Sequence, residues 1–407
     1  MLECAIVGGG IHGTYLAQRL LEETAVERSD LRIVDPHERL LESFRRKARA
    51  CEMSSMRSTF VHHVGTEPFG LEEFAEARDR GDELLPTQEY PRRPSLSLFL
   101  DHADHVIGRY DLESLHHRTS VESIQPRAND EVDGSFVLET PDGDSLVARA
   151  VVVAIGHGGR YRRPAWADGV DGISHVWDDA FDPNTAVDET TVVGGGITAA
   201  QLATTLTERE SVTLLSRTEL ETETVEADPL WINWNHVERQ LHRHPPGSRR
   251  RLDVLYSAQN RGTIPPRLVS ALESAADRDA LSIRQGAVRS ARVVDGRVRL
   301  LLETGGCLPA DRVVLATGFE SVFEHPFVGH VADACGLERG YRGMPILEDE
   351  TLAWRRTTGD ASRLFVTGAL AAGTAGPLAG TVIGARRAAD RICDSIKPPS
   401  ESPVIAD

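Results

Sequence analysis

The sequence predicts an α/β fold in which one strand–helix–strand plan occurs twice, with the second copy inserted into the first. Two observations support this prediction. An apolar run, a glycine turn and an amphipathic stretch follow one another near the N-terminus and again after residue 190. Each copy is followed by a β-rich segment that ends in a turn of small residues. Alternating strand and helix patterns of this kind form parallel sheets covered by helices.

The first copy contains a complete dinucleotide-binding motif. Residues 4–7 are apolar, Gly8-x-Gly10-x-x-Gly13 follows, residues 14–23 are amphipathic, and the apolar run 31–34 ends at Asp35. In such a Rossmann unit Gly8 permits the tight turn, Gly10 lets backbone approach a pyrophosphate, and Gly13 lets the helix pack on the strand. The helix N-terminus attracts phosphates, and Asp35 is placed to bind ribose hydroxyls.

The second copy contains Gly194-x-Gly196-x-x-Ala199, between a strand at 191–193 and a helix at 197–207. Its second strand ends at Ser216-Arg217, without a carboxylate. An acid there would repel a 2′-phosphate, whereas a hydroxyl and a guanidinium can bind it, so the motif favours NADPH over NADH. The alternative is that Arg217 is an ordinary surface arginine.

The two copies predict three segments along the chain. Residues 1–164 and 308–407 would form the FAD-type domain, and residues 165–307 would form the inserted NAD(P)H-binding domain. A basic, tryptophan-containing stretch at 228–251 interrupts the second copy. The Pro- and Ser-rich residues 398–407 read as a frayed tail.

Two such motifs at this spacing resemble those of the two-dinucleotide-binding-domain flavoproteins, which include flavin-dependent monooxygenases and disulfide reductases. Ala154-Ile155-Gly156 and Ala316-Thr317-Gly318 stand where that superfamily has its A-T-G strand-to-turn junctions. Residues 365–369 and 376–380, which contain Gly368 and Ala379, resemble its final strand and flavin-contacting turn. The resemblance covers nearly the whole chain and implies FAD in the first unit and NADPH in the second.

Several residues distinguish between branches of the superfamily. The sequence Leu315-Ala316-Thr317-Gly318-Phe319 is similar to the L-A-T-G-[FY] of N-hydroxylating monooxygenases, and residues 53–100, with Met56 and Arg57, resemble that branch's flavin-facing segment. The resemblance also implies a cofactor contact at Val121. The flavin-containing monooxygenase fingerprint F-x-G-x-x-x-H is degraded around Gly169, Gly172 and His175. These departures favour a divergent N-hydroxylase-like or uncharacterised member.

Cysteine usage disfavours the disulfide reductases. The chain has five cysteines and no C-x-x-C pair, and Cys51 alone lies near the position of the reductases' redox pair. A single-cysteine mechanism remains an alternative, although such a cysteine is more often packed. The odd number of cysteines predicts no disulfide framework and fits a reducing, cytoplasmic location. No metal site is predicted.

Composition limits the partners. The formal net charge is −17, which disfavours nucleic acid because the phosphate backbone would be repelled. The two lysines are Lys47 and Lys397, and this acid-rich, lysine-poor composition resembles that of proteins from salt-loving organisms; codon bias is the alternative for the arginine excess. Residues 365–385 carry no charge, but their glycines, threonines and proline predict that they do not span a membrane.

The sequence therefore predicts an FAD-dependent, NADPH-using monooxygenase that hydroxylates a small molecule through a flavin C4a-peroxide, as the resemblance implies. The alternatives are an NAD(P)H oxidase or reductase that passes electrons to O2, a quinone or a protein, and a non-enzymatic FAD-binding protein. No catalytic side chain is identified. Arg57, His62 and His63 lie where they could cover the flavin ring, and the histidines could equally be packed. Trp231, Trp234 and His236 could line a substrate surface or form a packed helix face.

Overall fold

The computed structural model describes residues 1–87, 91–127 and 134–396, so the predicted tail at 398–407 lies outside the described residues. The strands are, in chain order, β1 (Leu2–Val7), β2 (Leu31–Val34), β3 (Leu84–Leu85), β4 (Arg93–Pro94), β5 (His116–His117), β6 (Ser123–Pro126), β7 (Phe136–Glu139), β8 (Ser145–Val153), β9 (Ile173–His175), β10 (Glu189–Val193), β11 (Ser211–Ser216), β12 (Leu281–Gln285), β13 (Val288–Val294), β14 (Arg297–Leu302), β15 (Cys307–Ala310), β16 (Arg312–Leu315), β17 (Ala353–Arg355) and β18 (Ala361–Val366).

The α-helices are α1 (Ile11–Glu23), α2 (Glu42–Ala50), α3 (Gly70–Glu76), α4 (Leu96–Arg109), α5 (Ile197–Leu206), α6 (Trp234–Val237), α7 (Arg249–Ala258), α8 (Pro266–Asp277), α9 (Pro326–Ala334), α10 (Ala372–Ala375) and α11 (Val382–Ile396).

The first sheet joins the two ends of the chain. Its strand order is β17-β18-β8-β1-β2-β5, and β1 runs parallel to both β2 and β8. Strand β18 also pairs in parallel with β8, and helix α11 packs against α1. The apolar side chains of the central strands, such as Ile6, Ile33 and Val152, are fully buried because helices and loops cover both faces of a parallel sheet.

The second sheet is a parallel sheet with the order β12-β11-β10-β16-β9. A separate antiparallel sheet, β13-β14-β15, packs beside it through Val298 and Leu300. The predicted α/β class with two Rossmann-like units, one inserted into the other, is thus confirmed.

The strand pairing bears on the second domain boundary, which the sequence predicts at residue 308. Thr190–Val193 of β10 pair in parallel with residues 312–315 of β16. Strand β15 is likewise held by β14. Since both strands belong to the sheets of the inserted unit, we propose that the boundary lies after Leu315.

Two short segments connect the domains side by side. The N–H of Arg162 donates to the carbonyl of Gly318 (2.9 Å), and the N–H of Glu320 donates to the carbonyl of Arg160 (3.0 Å). Between them Tyr161 and Phe319 form an antiparallel bridge. The rings of His157 and Phe319 stack with their centroids 4.1 Å apart. The two strand-to-turn junctions predicted from sequence therefore meet at one interdomain crossing.

The inserted stretch around residues 228–258 packs on the first domain. Leu252 and Leu255 of α7 belong to the first domain's core. Trp231 and Leu241 form a small apolar cluster with Leu378, from the C-terminal glycine-rich turn. This part of the predicted 165–307 unit therefore serves as a wall of the first domain.

Residues 365–385, the uncharged run, form the end of β18, a 3-10 turn at Gly368–Ala371, helix α10 and the first residues of α11. Among the described residues no helix is both long enough and apolar enough to cross a membrane.

Candidate cofactor and substrate site

The first glycine turn has the geometry that its motif predicts. Gly8 has a φ of +117°, and a Cβ there would overlap the carbonyl of Ala154. A Cβ at Gly13 would overlap the carbonyl oxygen of Gly8, so this glycine lets α1 lie directly on the turn. A Cβ at Gly10 would meet no atom within 4 Å. The turn is therefore packed at Gly8 and Gly13 and open at Gly10, where a pyrophosphate would approach the N-terminus of α1.

Asp35 follows β2 and is 8% exposed. Its Oδ2 accepts a hydrogen bond from the N–H of Gly9 (2.7 Å). Its Oδ1 accepts from the N–H of His37 (3.0 Å) and from the His37 ring (2.7 Å). These bonds fix the carboxylate beside the glycine turn, the position from which it would bind a ribose.

His12 is a site residue that sequence reasoning missed. It lies inside the Gly8–Gly13 motif, and its Nδ1 is 2.8 Å from Oγ1 of Thr367. Its Nε2 is buried and makes no well-formed hydrogen bond in the described part of the chain, although it interacts with the backbone of Thr381. Burial lowers the pKa of His12 to about 4, so the ring is neutral at pH 7. A buried nitrogen without a well-formed hydrogen bond next to the open Gly10 is what a bound FAD could satisfy, and these residues fit that cofactor.

The other predicted FAD contacts surround the same turn. Ala154 is buried against Gly8, and Gly156 has a φ of +60° with open space beside it. Gly368, with a φ of +76°, faces the ring of His12. Val121 packs against the edge of the first core, whereas Ala379 and Met56 are buried. Met56 is packed in the first core, and its contact with FAD stays a prediction.

The second glycine turn begins α5 at Gly196. A Cβ at Gly194 would overlap the carbonyl of Ala316, and Ala199 packs against the same turn. A Cβ at Gly196 would lie 3.3 Å from the Cα of Gly262, so the loop of residues 260–263 lies close to this helix N-terminus. Ser216 is buried at the end of β11. Arg217 follows it and makes no hydrogen bond within the described residues, which leaves its guanidinium available to a 2′-phosphate.

A cavity of about 500 Å³ is lined by the second strand-to-turn junction, by the loop next to the second glycine turn and by the C-terminal glycine-rich turn. We call it the cofactor cavity; its lining includes Asn260, Gly262, Thr317, Gly318 and Gly380. The hydroxyl of Thr317 donates to the carbonyl of Arg162, which ties the cavity to the interdomain crossing. The predicted junction residues Thr317 and Gly318 therefore lie where the two domains face each other.

A second cavity, of about 730 Å³, adjoins the first, and Glu226 and Thr381 line both. We call it the side cavity. Its apolar lining includes Pro229, Ile232, Leu378 and Ile383. Arg57, Arg93 and Arg267 supply positive charge to it. An apolar chamber that opens onto the cofactor cavity is the form expected of a small-molecule pocket.

The side chains of residues 57–63 take different positions. Arg57 donates from its Nε to the carbonyl of Thr224 (3.0 Å) and from its Nη2 to those of Glu223 (2.7 Å) and Val225 (3.1 Å), so in the described structure it ties segment 223–225 to the first domain. His62 lines the side cavity. His63 is fully buried against His102, with ring centroids 4.7 Å apart. The packed interpretation thus holds for His63.

The tryptophan pair is packed rather than aligned along a substrate surface. Trp231 is 7% exposed and makes an edge contact with His236. Trp234 lies beneath the guanidinium of Arg391, whose central carbon is 3.3 Å from the ring centroid. Both rings consolidate the wall formed by residues 228–258.

Cys51 and Cys307 form no disulfide bond. Cys51 is buried in the second core, and burial raises its pKa to about 12, so it is not a thiolate at neutral pH. Cys307 is exposed on β15. Among the described residues no group of three or more His, Cys, Asp or Glu side chains could hold a metal ion.

Two sheets with parallel central strands, each with a glycine turn at its first helix, define the architecture of the two-domain FAD/NAD(P) flavoproteins. Residues 5–158 match the sequence model of a family described as FAD-NAD(P)-binding. Comparison of the sequence with curated proteins gives no match.

Solved structures of this architecture are similar over almost the whole chain. Ornithine hydroxylase PvdA from Pseudomonas aeruginosa is 18% identical, with a TM-score of 0.73, over 97% of this chain and 98% of that chain. FAD-bound DfoA, the desferrioxamine pathway cadaverine monooxygenase of Erwinia amylovora, is 15% identical, with a TM-score of 0.74, over 100% and 98%. Bacillithiol disulfide reductase Bdr from Bacillus cereus is 16% identical, with a lower TM-score of 0.61, over 97% and 98%. The predicted resemblance to N-hydroxylating monooxygenases is confirmed at the level of the fold.

Proposed function

We propose that the protein is an FAD-dependent, NADPH-using monooxygenase that hydroxylates a small molecule. The observation that carries this proposal is the side cavity, an apolar chamber that joins the cofactor cavity at Glu226 and Thr381. An oxidase that passes electrons to O2 alone has no need of such a chamber. The architectures of the ornithine hydroxylase and the cadaverine monooxygenase, which act on small amines, support the same assignment.

The chain's own residues would hold two cofactors. Gly8, Gly10, Gly13, Asp35 and His12 surround the space for FAD. When bound, FAD would accept hydride from NADPH and activate O2.

NADPH would be held by the second glycine turn, at Gly194, Gly196 and Ala199, and by Ser216 and Arg217. The loop of residues 260–263 lies against Gly196 and also lines the cofactor cavity. A nucleotide that starts at the second turn can therefore reach the cleft between the domains along this loop.

Arg57 has a positioning role in this proposal. Its three bonds to backbone carbonyls hold segment 223–225 over the side cavity, which limits the access of water to the space beside the flavin. A lysine in Arg57→Lys lacks the planar guanidinium that donates several hydrogen bonds at once. We therefore expect this variant to release more hydrogen peroxide per NADPH than the wild type.

The test is the fate of the electrons. The FAD-loaded protein is reduced with NADPH without oxygen and then mixed with aerated buffer, while flavin absorbance and hydrogen peroxide are followed. A monooxygenase should recover its oxidised flavin over seconds, and a substrate from a metabolite panel should lower the peroxide yield and give an oxygenated product. Immediate reoxidation with full peroxide yield, unaffected by any compound, would identify an oxidase. Absence of reduction by NADPH would identify a binding protein.

A further inference from the structure

The side cavity contains two arginines, Arg93 and Arg267, that the cofactor assignments do not use. Arg93 lies on β4 of the first domain, and Arg267 lies in the first turn of α8 of the inserted domain. The two side chains reach the same cavity from opposite domains, together with Arg57. A cavity between domains thus gathers three guanidinium groups beside an apolar wall.

Within the described residues, two of these guanidinium groups have buried nitrogens without hydrogen-bond partners. Within the described residues Arg267 makes no hydrogen bond or ion pair, and its Nη2 is buried. The Nε of Arg93 is buried and unpaired as well, and its Nη1 reaches the carbonyl of Pro86 at 3.3 Å. Buried donors are normally satisfied, so unpaired arginine nitrogens in a cavity indicate a missing acceptor. The positive end of the α8 dipole adds to the field at Arg267.

The positive charges of the arginines in the side cavity also repel one another. Burial and the nearby Arg93 and Arg57 lower the pKa of Arg267 to about 10. Across the cavity His62 is neutral at pH 7, because burial and Arg386 lower its pKa to about 4. Glu226 is the carboxylate in the described lining, and it lies at the junction with the cofactor cavity. The inner part of the side cavity is therefore positive, and a cationic amine placed there would be repelled.

We propose that Arg93 and Arg267 bind the carboxylate of an acidic substrate whose apolar body lies against Ile232, Leu378 and Ile383. This inference rests on the proposed function, because it names the class of molecule that the side cavity admits. The opposite end of such a molecule would point to the junction at Glu226 and Thr381, where the cofactor cavity begins. A phosphate of NADPH is the competing ligand for the same cluster. The apolar lining favours the substrate, since the second glycine turn and Arg217 already offer sites for the phosphates.

The experiment compares three probes of one chain length: octanoate, octylamine and 1-octanol. Each is titrated by calorimetry into the oxidised, FAD-loaded protein, and NADP⁺ is titrated separately. We expect octanoate to bind at least about tenfold more tightly than octylamine. Arg267→Gln and Arg93→Gln should each weaken octanoate by about ten- to a hundredfold, the effect of losing a charge-assisted hydrogen bond, and should leave 1-octanol and NADP⁺ nearly unchanged.

Arg278→Gln is the matched control. Arg278 ends the same helix and bonds to Ser274 on the surface, so its loss should change none of the affinities. Arg267→Gln should melt at or above the wild-type temperature, because it relieves repulsion between arginines. If it melts several degrees lower, Arg93→Gln decides the question by the same criteria.

Two results would overturn the inference. Octylamine binding as tightly as octanoate would show that the cavity does not select anions. Loss of NADP⁺ affinity in Arg267→Gln, with octanoate competing against NADP⁺, would assign the cluster to the nucleotide. The titrations use oxidised protein and need no turnover, so an oxidase outcome in the electron test would leave this result standing and would remove the substrate role alone.

Discussion

The three glycines of the first glycine turn have different roles, because two of them are needed for folding and one for cofactor binding. Gly8 and Gly13 are required by the protein itself, because a Cβ at either position would overlap a backbone carbonyl. Gly10 faces open space, so the folded chain does not need a glycine there. The motif was predictable from its spacing, because Gly8 and Gly13 follow from backbone sterics and Gly10 from the close approach of a pyrophosphate. His12 could not be predicted in this way, because its role depends on a contact with Thr367, which lies more than three hundred residues away in the chain.

This difference predicts opposite phenotypes for two substitutions. Gly10→Val should fold, with a melting temperature of the apoprotein near that of wild type, and should lose FAD because the branched side chain fills the space for the pyrophosphate. Gly13→Ala should instead fail to fold or unfold at much lower temperature. The measurements are the flavin-to-protein absorbance ratio after purification and thermal unfolding of the apoproteins. FAD binding by Gly10→Val at wild-type affinity would mean that the flavin lies elsewhere.

Arg217 should determine the choice between the two nicotinamide cofactors. A charge-assisted bond to the 2′-phosphate contributes about 1.5–3 kcal/mol, so Arg217→Ala should weaken NADPH by about ten- to a hundredfold. NADH lacks this phosphate and should be nearly unaffected. Binding of each cofactor is measured by titration, with Arg284→Ala on the neighbouring strand β12 as the control. An equal loss for both cofactors would contradict the assignment.

At the scale of elements, the strands and helices with strong sequence periodicity were predictable, and their partners were less so. The strands β1, β2, β10 and β11 and the helices α1 and α5 occur where the motifs predict them. The second domain boundary was harder to predict, because a buried parallel strand such as β16 carries the same apolar pattern in either domain. The contacts of residues 228–258 with the first domain likewise depend on long-range packing that local pattern does not encode.

A buried ion pair on helix α7 provides a test of this long-range packing. Arg251 is fully buried and bonds to both carboxylate oxygens of Asp349, at 2.6 and 2.7 Å, whereas the Asp349 side chain is 29% exposed. Asp349→Asn leaves a buried guanidinium without a counter-charge and should lower the free energy of unfolding by about 3–5 kcal/mol. Arg251→Met should cost less, because water can reach the remaining carboxylate. Urea unfolding measures both, and the double variant should be more stable than Asp349→Asn. The reverse order would rule out this account.

For the molecule as a whole, buried neutral histidines predict a loss of stability in mild acid. Burial lowers the pKa of His12, His157 and His175 from 6.5 to about 4. Below pH 6.5 the unfolded chain takes up protons that the folded protein does not, so stability is complete above that pH and falls progressively towards pH 4. Urea unfolding at pH 7.5, 6.5 and 5.5 should show the decline, and His175→Asn should make it shallower. A constant free energy of unfolding over this range would contradict the prediction.

The net charge of the whole molecule predicts that salt raises the stability of the protein, whereas surface ion pairs alone would predict that salt lowers it. The chain has 62 acidic and 45 basic residues, which leaves a net charge of −17. Many arginines are paired on the surface, for example Arg80 with Glu83 and Asp101. Exposed pairs contribute about 0–1 kcal/mol each, and salt weakens them. The unpaired excess of acid acts over longer distances and destabilises the compact state.

We therefore expect the melting temperature to rise by several degrees between about 0.1 and 1 M KCl, because the Debye length shortens from about 10 to 3 Å and screens the net repulsion. NaCl at the same ionic strength should act alike if screening is the cause. Sucrose stabilises proteins because it is excluded from their surface, and it does not screen charge. It should therefore not reproduce the steep increase of the melting temperature that screening predicts at low salt concentration. Replacing three surface acids that form no ion pair in the described structure, Glu208, Glu219 and Glu303, by Gln should reduce the salt effect and stabilise the protein at low salt. A melting temperature that falls with KCl would show that ion pairs outweigh the net repulsion, and the arginine-rich composition would then reflect codon usage rather than adaptation to salt.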